Sequence, residues 1–292
     1  MPVAEITIDI ALVRAMLAKQ HPDLADLPIT PFAHGWDNEM FRLGPDLVAR
    51  LPRRAVAEPL ILHERRWLGA LAPALPLAVP AHVRDGRAGA GYPWAWAIVP
   101  WFPGDVWHRT PPTEPARAAA RLAGFLAALH VPAPTDAPLN PYRGTPLAAR
   151  AERFAHGLSE LDDQVDGRRC RSLFDDLSSA TPYADAPRWL HGDPHPLNLV
   201  VDQGELSAAI DFGDICAGDP ASDLSAAWIV LAARARGVFR DTYASEVGLD
   251  DDTWARARAW ALALGVAYVA GSTDHPDVAA IGRRAIAAAL DD

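Results

Sequence analysis

Lysine is almost missing from this chain. Of 292 residues only Lys19 is a lysine, and arginine carries the rest of the positive charge. Cysteine is nearly as rare: Cys170 and Cys216 supply neither a disulfide framework nor a CxxC ligand pair, which fits a reducing compartment. The opening residues MPVAEITIDIALVRAML carry Glu5 and Asp9 where a secretory signal carries cations. The longest apolar stretch, WALALGVAYVAG (Trp260 to Gly271), is too short to span a bilayer. A soluble cytoplasmic protein, monomeric or homodimeric, is the expectation. The 27 Lys and Arg stand against 37 Asp and Glu, a formal charge of −10, which argues against nucleic acid and anionic membranes as partners. The same surface attracts a small cationic molecule.

Half the residues are apolar and 22% are charged, so a disordered chain is excluded and two lobes have material for their own cores. Asp9 to Gln20 reads as an amphipathic helix with Ile10, Val13, Met16 and Leu17 on one face. Strands are expected over Ile29 to Ala33, Glu39 to Leu43 and Asp46 to Leu51, then a helix from about Ala57 to Leu71. Pro80 to Arg84 and Trp94 to Trp101 read as two further strands joined by DGRAGAG. After WFPGD the pattern becomes helical, strongest over Glu114 to His130 and weaker over Leu147 to Leu161 and Arg168 to Ser179. Two short β-like runs, Leu197 to Val201 and Leu206 to Ile210, interrupt it around the turn DQGE, and from Ala221 onward the pattern is helical. The fold class expected is α+β. A small N-terminal lobe with an antiparallel sheet and one helix spans residues 1–101, and a larger, mainly helical lobe spans 102–292.

The chemistry concentrates in WLHGDPHPLNLVV and the IDFGD that follows it. His191-Gly192-Asp193 is followed after four residues by Asn198, and after twelve more by Asp211-Phe212-Gly213. Phosphoryl transfer needs a carboxylate beside the attacking hydroxyl, plus an oxygen ligand and a second carboxylate for Mg²⁺. A zinc site on His191, His195 and Asp193 leaves Asn198 and the later DFG unexplained. Ordinary turn chemistry accounts for Gly192, Asp193 and Pro194 singly but not for the compound spacing. No GxSxG elbow supports a serine hydrolase.

HGDxxxxN followed by a hydrophobic run into IDFGD resembles the aminoglycoside phosphotransferase family, whose fold is similar to that of protein kinases. GDPASDLSAAW (Gly218 to Trp228) adds to the likeness, which extends over nearly the whole chain. The resemblance implies that Asp193 is the catalytic aspartate and that Asn198 and Asp211 are Mg²⁺ ligands. It makes His191 a brace for the loop and Asp223 the residue that pins that loop from the following helix. ATP or GTP would donate phosphate, the N-terminal lobe would bind the nucleotide, and the C-terminal lobe would hold the acceptor.

In the N-terminal lobe the candidate phosphate-covering turn is AHGWDNEMFRLG, with Gly35 and Asn38 near the phosphates. It has a single glycine in place of GxGxxG. The usual third-strand lysine is replaced by Arg50 in LVARLP, with Glu64 as its expected helix partner and Glu58 the runner-up. Adenine would meet the backbone of Val99 to Trp101, where Pro100 lacks an N–H and leaves Trp101 or later residues as donors. Asp214 and His195 are the candidates for contacting the acceptor. An aminoglycoside-like antibiotic is the acceptor class implied first. Macrolide, peptide antibiotic, choline, homoserine, methylthioribose and fructosamine kinases share this type of site, and a nucleotide-binding pseudokinase is the non-enzymatic alternative.

Overall fold

Asp9 caps the first helix by accepting the Leu12 amide at 2.8 Å, satisfying one of the donors that a helix start leaves free. In the computed structural model, residues 3–161, 164–272 and 274–292 are described, His34 through its backbone alone. The chain forms two compact units. The first comprises residues 1–73, 78–103 and 210–213, so the aspartate of the DFG run packs with the N-terminal sheet unit.

Helix α1 (Ile10–Gln20) opens that unit and buries Val13, Met16 and Leu17. Ile10, expected on the same face, lies in the first turn and stays 37% exposed. Strands β1 (Ile29–His34), β2 (Asn38–Leu43) and β3 (Leu47–Pro52) follow, then α2 (Glu58–Leu71). The strand expected over Pro80 to Arg84 begins only where that stretch ends. It is β4 (Arg84–Gly86), because Pro80 offers no ladder donor and the first residues of DGRAGAG pair instead. Strand β5 (Trp96–Pro100) completes a five-stranded antiparallel sheet in the order β1-β2-β3-β5-β4. The register between β1 and β2 shifts between Pro31 and Ala33.

Period-two alternation sorts the side chains of this sheet. Phe41, Leu43, Ala49, Leu51, Trp96 and Ile98 face one way and pack with α1. Val48, Ala97 and Val99 face the other way and pack with Ile61 of α2. Trp94 and Trp96 are therefore core residues, 8% and 0% exposed, not stacking platforms.

The second unit comprises residues 74–77, 104–209 and 214–292. In chain order it contains β6 (Asp105–Val106), α3 (Pro115–Leu129), α4 (Ala151–Glu160), α5 (Gly167–Leu177), β7 (Arg188–Leu190), β8 (Leu199–Asp202), β9 (Glu205–Ala209) and β10 (Cys216–Gly218). It ends with α6 (Ala221–Leu224), α7 (Ala226–Ile229), α8 (Ala233–Val247), α9 (Asp251–Ala270) and α10 (Pro276–Leu290). The hairpin expected around DQGE is β8 and β9, starting two residues later and one residue earlier than the apolar runs suggested. Strand β6 adds to it in the order β6-β8-β9, and β7 pairs antiparallel with β10.

Helix α9 lies at the centre, packed by α10, α6, α4 and α5, while α3 packs on α8. Trp260 is buried, as is every residue from Ala261 to Val266 of α9, so the longest apolar stretch in the chain belongs largely to a core helix. Among the described residues, no helix is long and apolar enough to cross a membrane.

Candidate active site

The loop His191–Asn198 runs from β7 to β8 and is held from behind by one buried carboxylate. Asp223, in the first turn of α6, accepts the His191 amide at 2.7 Å and the Gly192 amide at 3.0 Å. His130 Nε2 lies 3.3 Å from the same carboxylate, and His130 Nδ1 lies 2.8 Å from the Tyr243 hydroxyl. With Asp223 and His130 at 0% and 1% exposure, these contacts replace water for a charge that burial alone would penalise. Gly192 has φ +90°, and a Cβ there would sit 2.4 Å from the Asp214 carbonyl oxygen. Only glycine fits, for both reasons.

Asp193 follows directly. Its amide donates to His191 Nδ1 at 3.2 Å, which makes His191 a brace inside the loop. Its Oδ1 accepts from the Tyr268 hydroxyl at 2.5 Å and from Arg143 at 3.0 Å, and its Oδ2 lies 3.4 Å from His195 Nε2. Burial pushes this carboxyl up, but Arg143, His195 and the Tyr268 hydrogen bond outweigh it and hold the pKa at about 2. Asp193 is thus an ionised acceptor across the neutral range.

Asn198 is turned by its own loop. Its Nδ2 donates to the Asp193 carbonyl at 3.0 Å, which leaves Oδ1 as the amide atom for a ligand. In the first unit Asp211 has φ +63°, and its side chain is 58% exposed with Oδ1 3.7 Å from Arg50. The amide oxygen and the carboxylate are each, taken singly, a hard oxygen donor of the kind that suits a divalent cation such as Mg²⁺. A zinc site on the two histidines does not fit, since His191 Nδ1 and His195 Nδ1 each accept a backbone amide, from Asp193 and Leu197.

Arg50 and Glu64 meet in the first unit. Alternation along β3 puts Arg50 on the α2 side of the sheet beside Val48, and Glu64 lies between Ile61 and Leu68 on the buried stripe of α2. The guanidinium donates twice to the carboxylate, at 2.6 and 3.0 Å, with 6% and 1% of the residues exposed. Burial works against both charges. The pairing wins on each side, raising the Arg50 pKa and lowering that of Glu64. Glu58 instead accepts the Ala95 amide at 2.7 Å.

Three expected contacts change. The Gly35 amide donates to the Asn38 carbonyl at 2.8 Å, so it closes the β1–β2 turn and does not point at a ligand. The Trp101 amide donates to the Asp46 carbonyl at 2.7 Å, because the β3–β5 ladder continues one pair beyond Pro100. By the same alternation the backbone of Val99 faces Val48 in β3, while the even-numbered residues face the other edge, as the bond from Val83 to the Ile98 carbonyl shows. Val99 and Trp101 are therefore out of phase for adenine.

Asp214 and His195 are both occupied within the second unit. Asp214 accepts from Asn140 at 2.7 Å and lies 3.6 Å from Arg143, and the His195 ring packs edge-on against Tyr268. The residues with no counterpart in the motif reading are Arg143, Tyr268, Asn140, His130 and Tyr243. Arg143 belongs to the Pro-rich stretch Val131 to Pro146, which has no helix or strand periodicity, and Tyr268 to the long apolar run; neither carries a local signal.

A profile of the phosphotransferase enzyme family matches residues 28–260, most of the chain. The chain belongs to the phosphotransferase enzyme family. It is similar in structure to the GDP complex of wild-type aminoglycoside 2'-phosphotransferase-IIIa, with 18% identity, a TM-score of 0.71, and coverage of 97% of this chain and 99% of that one. It is also similar to macrolide 2'-phosphotransferase MphH from Brachybacterium faecium (19% identity, TM-score 0.61, 94% and 97% covered). A third similar structure is ADP-bound aminoglycoside phosphotransferase APH(2'')-Ib (16% identity, TM-score 0.62, 95% and 98% covered). At these identities the likeness is one of fold. The α+β, protein-kinase-like fold that the motifs implied is the fold of this phosphotransferase.

Two outcomes follow for its stability. Arg50→Met leaves Glu64 buried without its cation and should cost about 3–5 kcal/mol in denaturant unfolding, with Arg50→Lys costing less. Equal stability of all three proteins would contradict the pairing. For Asp193 the folded pKa is depressed, so its ionised form stabilises the fold above the ordinary carboxylate pKa of about 4. That contribution is lost as pH falls toward about 2. The Tm difference between the wild type and Asp193→Asn should narrow as pH is lowered through that window, and a gap that widens would contradict the assignment.

Proposed function

We propose that this chain is a small-molecule kinase that transfers the γ-phosphate of ATP or GTP to a hydroxyl of a small organic acceptor. The observation that carries the reading is Asp193, an ionised carboxylate on a loop whose backbone is clamped by Asp223. Membership of the phosphotransferase enzyme family supports it, as do the GDP and ADP named for similar structures. Kanamycin and gentamicin complexes and macrolide 2'-phosphotransferases occur among those structures, so aminoglycosides and macrolides are the acceptor classes suggested by likeness.

In this reading the acceptor hydroxyl donates its hydrogen bond to Asp193. Its oxygen bonds to the γ-phosphorus as the bond from that phosphorus to the β–γ bridging oxygen breaks, and the nucleoside diphosphate leaves with those electrons. With a pKa of about 2, Asp193 is a weak base. It aligns the hydroxyl and receives the proton only once the O–P bond has largely formed. Mg²⁺, when bound, neutralises charge on the phosphates, and Asn198 Oδ1 and Asp211 would hold it. Arg50, fixed by Glu64, replaces lysine as the phosphate-contacting cation, and its fork geometry suits phosphate oxygens. The pairing favours an active enzyme over a pseudokinase. For the base of the nucleotide, the strand alternation favours the Pro100 carbonyl and the amide of Phe102.

Asp193→Asn should abolish phosphate transfer while leaving nucleotide affinity within about twofold, since the amide keeps the size but loses the charge that aligns the hydroxyl. Transfer at near wild-type rate in that variant would remove Asp193 from the mechanism. Asp211→Ala should abolish the Mg²⁺ dependence of nucleotide binding in calorimetry. A metal-dependent Kd that survives the change would exclude Asp211 as a ligand.

A further inference from the structure

The positive charge that an aminoglycoside would bring to this site is already present as a side chain. Arg143 reaches Asp193 Oδ1 at 3.0 Å and Asp214 Oδ2 at 3.6 Å, and only 13% of its side chain is exposed. Asn140 fills the other oxygen of Asp214 at 2.7 Å. An acceptor ammonium placed beside the reacting hydroxyl would therefore meet a fixed guanidinium, with the two nearest carboxylates already paired to it.

Arg143 also stands in the wall of a cavity of about 590 Å³, within the size range of small-molecule sites. One side of the cavity is the strap 139–148 and the other is the turn after α5 together with β10. Leu139, Pro141, Leu147, Ala180, Pro182 and Ala217 make most of its lining apolar. Its one buried charge pair is internally neutral, with Arg256 donating to Asp219 at 2.8 Å. Thr145 Oγ1 and Ser178 Oγ lie in the same lining, buried and without a hydrogen-bond partner among the described residues. Buried hydroxyls of this kind are normally satisfied, so a hydroxyl or carbonyl on a ligand has places to bind.

The strap is rigid where it matters. The Gly144 carbonyl accepts the Asp219 amide at 3.0 Å, and a Cβ on Gly144 would sit 2.5 Å from Leu190 and 3.0 Å from Gly218. The same held segment thus lines the cavity and carries the guanidinium that touches Asp193.

We propose that the acceptor is an alcohol with a largely apolar body rather than a polyamine, its body seated in this cavity and its reacting hydroxyl brought past Arg143 to Asp193. The proposal rests on the phosphotransfer reading and narrows it. Arg143 is a specificity-determining residue: it repels ammonium groups and holds the charge of Asp193 and Asp214 in their place.

The test is a phosphate-transfer panel read by mass shift, with ATP and GTP as donors. A macrolide and neutral aryl alcohols form the apolar set, and kanamycin and gentamicin form the polyamine set. The apolar set should be favoured in kcat/KM by on the order of tenfold or more, the cost of a like-charge contact in a partly dry site. Arg143→Gln should narrow that ratio by improving KM for the polyamines. Ala180→Trp or Ala148→Trp, both in the cavity lining, should raise KM for the apolar acceptors, with nucleotide Kd as the control for folding. Polyamines preferred by the wild type would overturn the proposal while leaving the phosphotransfer reading intact. So would an apolar-acceptor KM that neither tryptophan moves in proteins that still bind nucleotide. Nucleotide binding without transfer to any acceptor would overturn the phosphotransfer reading itself, and the proposal with it.

Discussion

One carboxylate holds the loop His191–Asn198 in shape. Asp223 takes the amides of His191 and Gly192 on its two oxygens, at 2.7 and 3.0 Å, from a position with no exposure to solvent. A charge buried that deeply persists only when donors surround it, and here two of the donors are the backbone of the loop itself. The loop therefore keeps one geometry because any other would strand the charge. The left-handed turn at Gly192 is part of that geometry, and hydrogen bonds within the loop then fix Asp193 and Asn198.

Around Asp193 the structure is crowded with donors. Tyr268, Arg143 and His195 approach its two oxygens from α9, the strap and the loop itself. Oδ2 is the less occupied oxygen, since its neighbour there is 3.4 Å away while Oδ1 already accepts two bonds. The aspartate is oriented before any acceptor arrives. Pre-set orientation of this sort is where phosphoryl-transfer sites obtain much of their effect.

The parts of the site that lie close together in sequence were the legible ones. His191, Asp193 and Asn198 fall within eight residues, and the pairing of Arg50 with Glu64 follows from a strand position and a helix stripe fourteen residues apart. Arg143 and Tyr268 stand 50 and 75 residues from Asp193, and nothing local in a proline-rich stretch or an alanine-rich helix marks them. The adenine contacts failed for a different reason. Composition locates a strand, but the direction in which each amide points depends on ladder phase, and an error of one residue reverses it. The strands β6, β7 and β10, two or three residues each, are too short to leave a periodic pattern.

The buried arginine of β3 has a practical side. Amine-directed nucleotide analogues and acylating probes label kinases by capturing the ammonium that touches the phosphates. On the proposed assignment of Arg50 that position is a guanidinium locked against Glu64, and the only lysine, Lys19, sits in the last turn of α1. Such reagents have no nucleophile to capture at the phosphate position here. A profiling survey that counts kinases by their labelled lysines would pass over this protein, even at full activity.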